Sequence, residues 1–105
     1  MKRTLLTAGF VALLLGVVGT AQAGGDAQAG KIKAGPCAGC HGGNGEGSAP
    51  TIPALAGKPE DQFIQALTEY KSGKRKNAVM KTFAGKLNDQ DMANLAAYYA
   101  SLKGK

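Results

Sequence analysis

Beyond an apolar run at its start, the chain carries hydrophobic residues at helical spacing and nowhere alternates them with a period of two. The clearest set is Met92, Leu95, Ala96, Tyr98, Tyr99 and Leu102, which predicts the apolar face of a closing helix. Asn88 stands where its N-cap belongs, Leu87 and Met92 are placed as a hydrophobic staple, and Lys103-Gly104 ends it. Phe63, Ile64, Leu67 and Tyr70 predict a second helix. It begins with Pro59 as its first residue, places Glu60 and Asp61 in its first turn, and closes on Lys71-Ser72-Gly73. Asp26 predicts the N-cap of a shorter helix through Ala27, Gly30, Ile32 and Ala34. Gly30 lowers the propensity of that helix by about 1 kcal/mol against Ala, so either another element approaches closely there or the helix is weak. With no strand predicted, the fold class is all-α.

Two stretches read as loops. Residues 42–50, Gly-Gly-Asn-Gly-Glu-Gly-Ser-Ala-Pro, suit neither helix nor strand and lack the Lys-Ser or Lys-Thr that closes a phosphate-binding loop. Residues 74–86 are basic, hold few apolar side chains, and contain Met80 between Val79 and Phe83. The start of the chain, Met1-Lys2-Arg3, an apolar run from Leu5 to Val18 and then Ala21-Gln22-Ala23, is the pattern of a secretory signal peptide. We expect residues 1–23 to be removed after Ala23, leaving a single domain over 24–105 in the periplasm. The apolar run falls short of the ~20 residues a spanning helix needs, so no stable membrane insertion is expected after cleavage.

A domain of this size is near the lower limit for a self-sufficient core and usually carries a staple. The sequence supplies one. Cys37-Ala38-Gly39-Cys40-His41 puts two thiols and an imidazole within five residues, and one helical turn sets Cys37 and His41 on a shared face. Two thioether bonds to porphyrin vinyl groups and one imidazole to iron make this a c-type haem attachment site. A thioredoxin-like pair would need a βαβ setting, and a structural zinc site four ligands, whereas the chain holds two Cys and one His. A disulfide between Cys37 and Cys40 would close too small a loop to restrain the unfolded chain.

One imidazole leaves the other axial position of the iron to Met80, Met92, a Lys amine or water. Packing on the closing helix already accounts for Met92, which favours Met80 on chemical grounds. Cys37 to His41, Pro53-Ala54-Leu55, Met80 and the run Asp-Gln-Asp-Met-Ala-Asn-Leu-Ala-Ala-Tyr-Tyr over 89–99 together resemble the small bacterial class I cytochromes c. Within that family they resemble single-domain relatives of the dihaem members, across essentially all of 24–105. The resemblance implies one haem c bound by thioethers at Cys37 and Cys40, with His41 and Met80 as axial ligands. It also implies that the Pro53 carbonyl accepts from His41 Nδ1–H, and that the terminal helices cross at Gly30 against Tyr98 or a neighbour. The chain has no Trp, so the Trp that holds a haem propionate in mitochondrial members has no counterpart.

The expected function is that of a soluble one-electron carrier without enzymatic activity, cycling Fe(III) and Fe(II) between larger redox proteins. A haem subunit fixed to a catalytic partner, or a gas-binding or peroxidatic protein with labile Met80, are the alternatives. Lys71, Lys74, Arg75, Lys76, Lys81 and Lys86 fall in a stretch free of Asp and Glu, and loss of Lys2 and Arg3 takes the formal charge from +6 to +4. Redox partners with acidic docking surfaces are therefore expected, acting on a monomer. No nucleic-acid recognition motif is present, and nucleic acid is not an expected partner. The attachment reading has a direct test: on a denaturing gel the haem colour stays with the polypeptide, and acidified organic solvent does not extract it.

Overall fold

The computed structural model describes residues 24–48 and 50–102, so the signal-peptide expectation for 1–23 and the Lys103-Gly104 ending lie outside the described residues. Five helices form there: α1 Ala27–Lys33, α2 Gly35–His41, α3 Glu60–Ser72, α4 Ala78–Gly85 and α5 Asp89–Ser101. No strand accompanies them among the described residues beyond an isolated bridge between Ser48 and Ile52.

Local chemistry explains most of the boundaries. Asp26 caps α1, its side chain accepting from the backbone of Gln28 and Ala29. Asn88 caps α5, and the Asp91 carboxylate answers by accepting from the Asn88 backbone, a reciprocal capping box. Gly73, at φ 89°, ends α3 in the left-handed conformation that favours glycine. Pro59 sits one position earlier than expected: with ψ at 140° it is the N-cap, and α3 begins at Glu60. Its carbonyl still opens the helix by accepting from Phe63 N at 3.0 Å.

Residues 74–86 do not form a loop throughout. Asn77 caps α4, accepting from Met80 N at 3.0 Å, and the helix runs to Gly85. Val79, Met80, Phe83 and Ala84 form a short apolar face, obscured in the sequence by the lysines around it. A helix of this length is unstable alone. It holds here because Ala84 is fully buried in the core and α4 packs along α3.

The core is Ala34, Phe63, Leu67, Ala84, Met92, Leu95, Ala96 and Tyr99. Four of these belong to α5, against which α1 crosses most closely. A Cβ on Gly30 would lie 1.9 Å from Asn94 O and 2.8 Å from Tyr98 Cβ, which decides for the close approach. The Asn94 side chain secures the crossing by accepting from Asp26 N at 2.8 Å and from Gln90 Nε2 at 2.9 Å. Phe63 and Tyr99 stack with ring centroids 5.5 Å apart, joining α3 to α5. Gly30→Ala should cost about 1–3 kcal/mol through overpacking against backbone that has no room to yield. Gly85→Ala, whose Cβ would meet nothing within 4 Å, should stay within about 0.5 kcal/mol of wild type; chemical denaturation measures both.

Candidate functional site

The short α2 presents Cys37, Cys40 and His41 and stops at Gly42, whose φ of 95° turns the chain away. His41 is 7% exposed, and its Nδ1–H donates to the Pro53 carbonyl at 2.8 Å. That bond leaves Nε2 of the neutral ring as the nitrogen with a free lone pair. The intervening loop brings Pro53 into place through its own backbone bonds. Gly47 N donates to His41 O at 2.6 Å, Ser48 and Ile52 exchange bonds at 2.8 and 2.9 Å, and Leu55 N donates to Gly45 O at 2.7 Å. Gly47 has no substitute here, because its φ is 73° and a Cβ would fall 2.6 Å from Ala54 N.

Across from α2, α4 carries Met80, half-buried, in its first turn. Cys37, Cys40, His41, Pro53 and Met80 line one cavity of about 600 Å3. Leu55, Phe63, Leu67, Val79, Phe83 and Leu95 supply much of the remaining wall. Met92 is not among the lining residues; it lies in the core, 2% exposed, where Thr68 Oγ1 approaches its sulfur at 3.7 Å. The two methionines that the sequence offered as iron ligands are thereby separated by place: one on the cavity wall, one in the packed interior.

Burial pushes the Cys37 thiol above its ordinary pKa, and a hydrogen bond with Tyr99 opposes that in part. Burial, and then the nearby Cys37, push the Tyr99 phenol up as well. Both groups are neutral at physiological pH. Sequence reading missed this contact, since nothing in the spacing of residues 37 and 99 indicates it. It also missed Lys58 and Arg75 on the cavity wall.

The cavity fits a haem by its size, which is within the roughly 300–1,000 Å3 of small-molecule and cofactor sites, and by its chemistry. Two thiols, an imidazole with one nitrogen already bonded, and a thioether are set in otherwise mostly apolar walls. A family model described as cytochrome c matches residues 27–103. The chain belongs to the cytochrome c family. Its fold is that of a class I cytochrome c.

Two relatives bracket this cytochrome c domain. It is 45% identical over 91 residues to cytochrome c4 of Pseudomonas aeruginosa, covering 87% of this chain and 45% of that protein. It is 42% identical over 80 residues to cytochrome c-554(548) of Halomonas halodenitrificans, covering 73% of this chain and 96% of that one. Among solved structures, reduced recombinant cytochrome c4 from Pseudomonas stutzeri matches with a TM-score of 0.72 and 38% identity, over 77% of this chain and 47% of that chain. The chain thus spans about half the length of the cytochrome c4 relatives it matches. Proteins named thiosulfate dehydrogenase electron acceptor, from Thiomonas intermedia, and cytochrome subunit of sulfide dehydrogenase, from Chlorobaculum tepidum, also match, at 40% and 34% identity.

Proposed function

We propose that this cytochrome c domain is a periplasmic one-electron carrier holding one haem c, exported with residues 1–23 and cleaved after Ala23. The observation that carries the reading is that an imidazole and a thioether line the same cavity as the Cys pair. When bound, haem c supplies an Fe(III)/Fe(II) couple that accepts and returns one electron. Cys37 and Cys40 would hold the porphyrin by thioethers, and His41 Nε2 and Met80 Sδ would ligate its iron. Pro53 fixes the imidazole ring through Nδ1–H and makes it a better donor. The Met80 sulfur, a soft ligand, favours the reduced state. Were both iron ligands supplied by the chain's own residues, none would remain for oxygen or peroxide, which supports a carrier without enzymatic activity of its own. Among the described residues no helix is long and apolar enough to cross a membrane, which accords with a carrier free of the bilayer.

Partners are redox proteins with acidic docking surfaces, and the carrier meets them as a monomer. Lys71, Lys74, Arg75, Lys76, Lys81 and Lys86 are all exposed on the end of α3, the connection that follows it, and α4, the elements beside Met80. Val79 and Phe83, 58% and 38% exposed, give the same face an apolar component. A second reading, as the haem subunit of a larger oxidoreductase, is favoured by the relatives named for thiosulfate and sulfide dehydrogenases. Purification as a monomer from periplasm would set that second reading aside.

Met80→Ala should abolish the weak long-wavelength sulfur-to-iron charge-transfer band and let the reduced protein bind carbon monoxide. Met92→Ala should keep the band and lose about 2–5 kcal/mol of stability. Loss of the band in the Met92 variant with retention in the Met80 variant would reverse the assignment. Electron transfer to an acidic partner should slow as ionic strength rises, and Lys81→Glu should slow it at low salt; a salt-independent rate would reduce the lysines to a solvated face.

A further inference from the structure

α4 is fastened unevenly along its length, and Met80 sits at the looser end. Ala84, in the last turn, is its one fully buried side chain, and just beyond the helix Lys71 Nζ donates to Leu87 O. The first turn has no such anchor. Ala78, Val79 and Lys81 are exposed there, and Met80 is half-buried. A helix of eight residues does not hold its own first turn in water, so a local contact has to hold it.

Asn77 makes that contact. The first N–H groups of a helix have no partner within it. In α4 the third of them belongs to Met80, and it donates to Asn77 Oδ1 at 3.0 Å. Asn77 is in extended backbone, with φ −173° and ψ 108°, and its carbonyl opens the helix by accepting from Lys81 N at 2.8 Å. The residue that carries the thioether is thus the one whose backbone the cap grips. At the start of α5 the cap is doubled, because Asp91 answers Asn88; in α4 the corresponding position is Met80, which has no carboxylate or amide to return the bond. No acidic side chain supports the first turn of α4 either. Asn77 and Met80 line the same cavity, so the cap stands beside the sulfur it serves.

We propose that Asn77 is the positioning residue for the Met80 thioether: by closing the first turn of α4, its side chain sets how readily the sulfur leaves the iron and an added ligand takes its place. The inference rests on the reading that this cavity takes haem c with Met80 as a ligand. Withdrawal of the sulfur opens the first turn and breaks the Asn77 bond, so removing that bond weakens the closed form and leaves the open form as it was. An added ligand binds only the open form, and its apparent affinity scales with the open fraction. Loss of an Asn cap raises that fraction about 2- to 30-fold.

The test is titration of the oxidised, haem-loaded protein with imidazole, followed by loss of the sulfur-to-iron charge-transfer band, for wild type, Asn77→Ala, Asn77→Ser and Asp26→Ala. Asn77→Ala should bind imidazole about 2- to 30-fold more tightly than wild type. Asn77→Ser, which also shortens the side chain but keeps a capping oxygen, should stay near wild type. Asp26→Ala removes the cap of α1, a helix with no residue on the cavity wall; it should lower global stability and leave the imidazole affinity unchanged. Equal affinities in Asn77→Ala and wild type overturn the proposal. A Ser variant that behaves like Ala overturns it too, as an effect of space, and so does an equal gain in Asp26→Ala, as a general loss of stability. Should Asn77→Ala fail to accumulate, amide exchange in the wild type decides: saturating imidazole should speed exchange of the Met80 N–H and leave that of Asp91, at the α5 cap, unchanged. A Met80 amide that stays protected overturns the proposal. A wild type without the charge-transfer band defeats the reading of Met80 as a ligand, and the positioning role with it.

Discussion

The structure depends on what α5 does with its buried face, and above all on Tyr99. This side chain is 1% exposed. Its ring stacks on Phe63 of α3 and bars any side chain larger than hydrogen at Gly45, where a Cβ would stand 2.9 Å from the ring. Its backbone carbonyl accepts from Gly57 N at 2.8 Å, and its hydroxyl meets Cys37 on α2. One residue therefore ties together a second helix, both limbs of the Gly-rich loop and the attachment turn. Next to it, α1 closes on the same helix through the Gly30 contact with Asn94. Close packing of this kind transmits any change of volume, which is why glycine is required at the crossing and Tyr99 is fully enclosed.

The cavity follows from that frame. α2, α3 and α4 contribute walls around it, and α5 closes part of it through Leu95. With eight buried apolar side chains in the core among the described residues, a small domain has little apolar area to offset chain entropy, and a flat apolar ligand of porphyrin size would enlarge that core. The apolar residues that a helix of isolated sequence would leave wet, Val79 and Phe83 on α4, are those that line this cavity.

Membership of the cytochrome c family fixes electron transfer as the chemistry and leaves open how the chain is deployed. Its match to cytochrome c-554(548) covers nearly all of that protein, and its match to cytochrome c4 covers half. The same domain thus recurs alone and as part of longer chains. The lysines at the end of α3 and on α4 stand beside the cavity wall formed by Val79, Met80 and Phe83 whichever way the domain is used.

Sequence alone determined the helices whose signals are local. Asp26 and Asn88 as caps, Gly73 as a terminator and the apolar faces of α3 and α5 are set by interactions within a few residues, and these elements stand where the residues predicted them. The helical turn over Cys37–His41 was legible for the same reason, and the helix Gly35–His41 carries it. α4 was not legible: its lysines resemble those of a solvated loop, and it exists because Asn77 caps it and Ala84 finds a place in the core. Residue spacing left two meanings of Gly30 open; the family resemblance implied the crossing, and Asn94, 64 positions later in the chain, makes it. Pro53 met His41 and Met80 parted from Met92 by the same means, as the family resemblance and the ligand chemistry had led us to expect, whereas Tyr99 beside Cys37 and Lys58 and Arg75 on the cavity wall had no such signal. Each of these pairings joins distant residues through packing, and no local spacing encodes where a packed helix will bring its partner.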